Sequence, residues 1–114
     1  MYSINRQVAA IKPKKPYIDW IHSLPGSDEP YDDESLQKDC TVFLLPHLDD
    51  DEESLKYIES IYSKIFKIEL DSWYTDPAFW PKNRTFSLFM KWFEIEFHSE
   101  VLDTLEARIV KKEY

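Results

Sequence analysis

The chain has 114 residues, enough for one domain and too few for two independent cores. Its 14 Lys and Arg stand against 22 Asp and Glu, a net charge of −8 that argues against a generic nucleic-acid binder, because phosphate contacts need a basic surface. One glycine, Gly26, excludes glycine-rich phosphate loops, the dinucleotide fingerprint, the nucleophile elbow and the EF-hand loop; one cysteine, Cys40, excludes intrachain disulfides and multi-cysteine zinc sites.

An apolar fraction of 43% predicts a packed core, since only low-hydrophobicity chains fail to offset their ordering entropy. No signal-peptide run and no apolar stretch near the ~20 residues of a membrane span is visible. The expectation is a cytoplasmic protein with no membrane contact, no cofactor and no metal.

Residues 2–11 partly alternate, with Tyr2, Ile4, Val8 and Ala10 on one side, and predict a strand closed by Lys12 and Pro13. Pro16 opens a short helix with Tyr17, Ile18, Trp20, Ile21 and Leu24 on its apolar side, ended by Leu24-Pro25-Gly26-Ser27. Residues 27–39 read as a polar connection with room for one helical turn after Pro30. Residues 40–45 are apolar on both faces and stopped by Pro46, which predicts a central strand covered on both sides.

The strongest helix signal runs over 52–70, with Leu55, Ile58, Ile61, Tyr62, Ile65 and Ile68 at helical spacing. Asp50 and Glu53 suit its N-terminal cap, and Lys64 and Lys67 lie toward the negative end of the dipole. Nine of the 18 aromatics fall within residues 73–97, where the core is made. Asp76-Pro77 predicts a capped turn ended by Pro81, and a short helix follows from Thr85 to Phe93. The period then changes to two, with Ile95, Phe97 and Val101 opposite Glu96, His98 and Glu100, predicting a last strand over 94–102. Glu106 to Tyr114 reads as a charged, frayed tail. The fold class is α+β: a single two-layer domain, residues 1–114, with a small sheet of about three strands packed against helices.

Trp80-Pro81-Lys82-Asn83-Arg84-Thr85 is the leading candidate site: a proline holds two cations and an amide beside Trp80, suited to an anion or a partner's carboxylate. Its plain alternative is a structural turn in which Arg84 pairs locally and Asn83 or Thr85 caps the next helix. Glu96, His98 and Glu100 on one strand face suit acid-base chemistry, or equally a solvated face with charge pairs. Asp49 to Glu53, after His47, suits a divalent cation or a capped helix start. Cys40 reads as a small buried hydrophobe rather than a nucleophile. Lys12-Pro13-Lys14-Lys15 is a solvated strand exit, or faces an acidic segment of a second chain. The binding candidates are Trp80, Lys82, Asn83, Arg84 and His98, and no catalytic or metal-ligating residue is assigned.

Ile11-Lys12-Pro13-Lys14, Asp19-Trp20 with Ser23-Leu24-Pro25, Trp80 to Thr85, and Trp92-Phe93 with Glu96-Phe97-His98-Ser99 together resemble a small bacterial protein family without an established activity. Some of its members are labelled VacJ. The lipoprotein of that name has an export signal and a lipid-attachment cysteine near its start, which these residues lack, so its lipid-transport function does not carry over. The resemblance implies a bacterial, cytoplasmic, stand-alone domain.

Residues 28–53 hold eleven acids and one base, a balance of −10, and the other 88 residues sum to +2. The expected function is therefore a non-enzymatic protein-protein interaction module with a localised acidic face, which binds a protein partner or a second copy of the chain. The alternative is a small enzyme or ligand-binding protein with a pocket around Arg84, Glu96 and His98; a third class is an acidic mimic of nucleic acid or an antitoxin-like inhibitor.

Overall fold

Val8, Ala9, Ala10 and Ile11 form an uninterrupted apolar run, as a strand with neighbours on both sides requires. In the computed structural model, which describes residues 1–27 and 32–114, that run lies in β2 (Gln7–Pro13). β2 is the middle of a three-stranded antiparallel sheet, between β3 (Thr41–Leu45) and β4 (Phe93–His98). Ala9 pairs with Phe43 on one side and Phe97 on the other, and Ile11 with Thr41 and Ile95.

The strand expected at 40–45 is thus an edge and not the centre. Phe43 and Leu45 turn toward the core, whereas Val42 and Leu44 turn out and are 53% and 49% exposed. An apolar run specifies a strand but not its place in the order, and the shorter run around Ala9 takes the centre. The face assignment at 2–11 also reverses: Gln7, Ala9 and Ile11 are buried against the helices, and Val8, Ala10 and Lys12 face away.

Both terminal strands divide in two. β1 (Tyr2–Ser3) pairs with β5 (Leu102–Asp103), continuing the β2–β4 pairing after a break. From Ile4, whose amide donates to the Val101 carbonyl at 3.3 Å, to Val8 is four residues, against three from His98 to Val101. The extra residue shifts the register and interrupts the ladder. After Asp103 the chain has no helix or strand.

The four α-helices of the described residues pack on the inner face. Pro16 opens α1 (Lys15–Ser23), which buries Tyr17, Ile18 and Ile21. Asp32 caps α2 (Asp33–Lys38) by accepting from the Glu34 amide; the expected turn after Pro30 starts there, and Pro30 itself lies outside the described residues. Asp50 caps α3 (Asp51–Asp71), accepting from the Glu53 amide at 2.9 Å, and the Glu53 carboxylate accepts from the Asp49 amide at 3.4 Å. Its buried stripe is Ile58, Ile65, Phe66 and Leu70, with Ser54 and Glu69. The charge pattern expected at its far end is corrected: Lys64 and Lys67 fall short of the last turn, which holds Glu69 and Asp71 and no base. Asp76 and Pro77 open a single 3-10 turn, Pro77–Phe79, and Thr85 caps α4 (Phe86–Trp92) by accepting from the Leu88 amide.

The core closes where α4 runs directly into β4. Phe93 lies 4.6 Å from the Tyr17 ring, 5.0 Å from Phe89 and 5.7 Å from Phe66, centroid to centroid, and all four side chains are buried. Such ring contacts add to the burial of large apolar surfaces. Phe89→Ala is expected to lower unfolding free energy by about 3–5 kcal/mol, measured by urea denaturation; a loss under about 1 kcal/mol would contradict this core.

Candidate functional site

The loop from Trp80 to Thr85 is held by its own hydrogen bonds. The Trp80 indole donates to the Tyr74 carbonyl at 2.8 Å, and the Trp20 indole donates to the Phe79 carbonyl at 2.8 Å. Arg84 donates to the Pro81 carbonyl at 2.9 Å, and its guanidinium carbon lies 5.5 Å from the Trp80 ring centroid. The Arg84 carbonyl accepts from the Tyr62 hydroxyl of α3 at 3.3 Å. Arg84 is therefore bound to a carbonyl and a ring rather than to a local acid, with cation–π attraction adding to the turn. Lys82 and Asn83 stand exposed beside it.

His98 lies elsewhere. It projects from the outer face of β4, where its Nε2 is 2.6 Å from Glu96 Oε1, and Lys12 of β2 holds the other Glu96 oxygen at 2.5 Å. The Lys12 ammonium, then His98, hold the Glu96 carboxyl below its usual range, and Glu96 raises Lys12 in turn. These are exposed charges, and such pairs contribute little to stability. Arg84 belongs to the helical layer and His98 to the opposite face of the sheet, so the expected pocket around Arg84, Glu96 and His98 is not assembled.

The other charged stretches are used locally. Lys14 donates to the Met90 carbonyl near the C-terminus of α4 at 3.0 Å, and Lys15 pairs with Asp19 at 3.2 Å. Gln37 of α2 donates to the Pro13 carbonyl at one end of β2; at the other end Gln7 Oε1 accepts from the Leu48 amide just before Asp49. The two acidic groups, Asp32 to Asp39 and Asp49 to Glu53, thus flank β3 at opposite ends rather than forming one face. Asp28 and Glu29 lie outside the described residues. Among the described residues no cluster of three or more His, Cys, Asp or Glu could hold a metal.

Two features escaped the sequence reading. One is the outward apolar side of edge strand β3. The other is a cavity of about 390 Å³ between the ends of α1, α2 and α3 and the start of β3. Tyr17, Ile21 and Leu36 supply its buried apolar wall, and Ser35, Asp39 and Thr41 its exposed rim. Glu69 lines it, is 6% exposed, and has one carboxylate oxygen, Oε1, with no hydrogen-bond partner among the described residues. Burial raises its pKa, opposed by the Thr41 hydroxyl. The Glu69 backbone is well satisfied: its carbonyl accepts from the Tyr17 and Ser72 hydroxyls, each at 2.7 Å. Cys40, half-buried on the same wall, has its thiol pushed up by burial, the opposite of an activated nucleophile, and among the described residues no histidine lines the cavity. The signal for Glu69 was its spacing, four residues after Ile65 and eleven after Ile58 on the buried stripe of α3.

No protein-family model, curated protein or solved structure matches this chain. Among the described residues no helix is long and apolar enough to cross a membrane.

Because the folded state raises the Glu69 pKa, it binds that proton more tightly than the unfolded chain does. The charged carboxylate therefore weakens folding above its folded pKa, and that cost fades as pH falls toward the unfolded carboxylate value, about 4.3. Tyr17, Asp39 and Cys40 face it and hold no positive charge that would reverse the sign. Glu69→Gln is expected to be more stable than wild type at pH 7 by urea denaturation, with the gap closing near pH 4. A variant less stable at pH 7 would refute this reading.

Proposed function

We propose that the protein is a non-enzymatic interaction module that holds an extended segment of a partner protein along the free edge of β3, with basic residues flanking that segment. The bacterial, cytoplasmic setting is the one the family resemblance implies.

The observation that carries the proposal is the contrast between the two sheet edges. β4 turns Glu94, Glu96 and His98 outward, and outward charges of this kind discourage pairing with another chain. β3 has no charge and no proline, and its outward residues are Val42 and Leu44. An unprotected apolar edge is a template for strand addition, in which main-chain hydrogen bonds supply affinity and alternate side chains supply specificity. Pro46 ends that template on one side.

Charge then selects the occupant. Acids stand at both ends of β3, so antiparallel pairing of two copies would bring acid against acid at each end. A segment flanked by lysine or arginine meets opposite charge at both ends and gains encounter rate and register.

The test is a synthetic strand of alternating valine and threonine flanked by lysines, titrated by fluorescence anisotropy, with a glutamate-flanked version alongside. The lysine-flanked peptide is expected to bind, and to weaken as salt rises from roughly 0.05 to 0.5 M. Leu44→Lys should weaken it by roughly tenfold or more while unfolding free energy changes by less than about 1 kcal/mol, because the side chain is half exposed. Equal binding of both peptides, or an unaffected Leu44→Lys, would overturn the proposal.

A further inference from the structure

The geometry points to the cavity beside Glu69 as a binding site for a small organic cation, an ammonium or guanidinium group carried on an apolar body. This site is separate from the β3 edge and does not rest on the strand-addition reading.

Three observations converge on that chemistry. The first is the unpartnered carboxylate oxygen. A buried polar atom without a hydrogen bond costs free energy, and native structures hold few of them, so a donor delivered from the cavity has a standing gain to make. The neighbouring hydroxyls do not meet this need: those of Tyr17 and Ser72 are spent on the Glu69 carbonyl, and Oε1 has no partner among the described residues although the Thr41 hydroxyl stands beside the carboxylate.

The second is the sign of the lining. Among the described residues it contains Glu69 and, at the rim, Asp39, but no lysine, arginine or histidine. An anion would enter against both carboxylates. A cation pairs with Glu69, whose side chain is buried, and a charge-assisted hydrogen bond there is about twice as strong as a neutral one. A bare metal ion is disfavoured, since the described residues offer no cluster of three ligating side chains.

The third is shape. At about 390 Å³ the cavity falls in the range of small-molecule sites, about 300–1,000 Å³, which combine apolar walls with a few polar groups that fix orientation. Tyr17, Ile21 and Leu36 offer aromatic and aliphatic surface for the body of the ligand, leaving its charged head for Glu69. An aromatic wall also favours a cation near a ring face.

The test uses 2-phenylethylammonium as probe, with phenylacetate and 2-phenylethanol as anionic and neutral analogues, by calorimetry and thermal shift at pH 7.5. The full chain is expected to bind the ammonium compound and to show a raised melting temperature. The two analogues and Glu69→Gln should bind roughly tenfold more weakly or not at all. Leu44→Lys should bind the probe as wild type does, which separates this site from the β3 edge. Because Glu69→Gln removes a buried charge, it is expected to remain folded, and its far-ultraviolet circular dichroism establishes that. Equal binding by Glu69→Gln, equal binding of phenylacetate, or no binding of 2-phenylethylammonium would each overturn the inference.

Discussion

The structure depends on a junction with no slack. α4 ends at Trp92 and β4 begins at Phe93, so the helix axis and the strand direction are fixed to each other by consecutive residues. The Lys14 amide donates to the Trp92 carbonyl at 2.8 Å and pins the junction to the end of β2. Phe89 on the helix and Phe93 on the strand then meet Phe66 from α3 and Tyr17 from α1 in one buried group of rings. The loop at Trp80 to Thr85 is placed from the same junction, because it runs from the end of the 3-10 turn directly into the start of α4.

Polar groups buried at the two ends of α3 are treated differently. Near its start Gln7 donates to Ser54 at 2.6 Å and accepts from Leu48, and Ser54 donates to the Asp50 carbonyl, so each polar group at that end has a partner. Near its end the backbone of Glu69 is satisfied while one oxygen of its side chain is not. A fully bonded polar group fixes a single arrangement, whereas a partly bonded one leaves energy to be recovered by a ligand. Position on the same helix separates an architectural role from a binding role.

Much of the local structure was legible because its causes are local. The apolar period of α3, the caps at Asp50 and Asp76, and Pro16 at the start of α1 depend on residues within a turn of each other, and each is found as expected, while of the two caps open for α4, Asn83 and Thr85, the structure uses Thr85. The α+β class follows from the same elements. Strand order was not legible, since residues 8–11 and 40–45 are both apolar runs, and only tertiary packing decides that the first has two neighbours. The candidate set at Trp80, Lys82, Asn83, Arg84 and His98 divides for a similar reason: four of these residues share one loop, but no local rule reports that the sheet lies between Arg84 and His98. Glu69 was hidden because a glutamate in a helix ordinarily reads as solvated, and only the spacing to Ile58 and Ile65 marks it as buried.

The pairing of β2 with β4 joins Gln7–Pro13 to Phe93–His98 across most of the chain. Contacts of such long sequence separation form slowly, because the loop between them must close before they are rewarded. During synthesis the middle strand therefore waits for its second neighbour until residue 98 has left the ribosome, with only β3 available to it before then. Over that interval β2 lacks the partner strand whose Glu96 pairs with Lys12, and the nascent sheet has β2 as a second open edge. The late arrival of Glu94, Glu96 and His98 is the step that covers this second edge and completes the sheet.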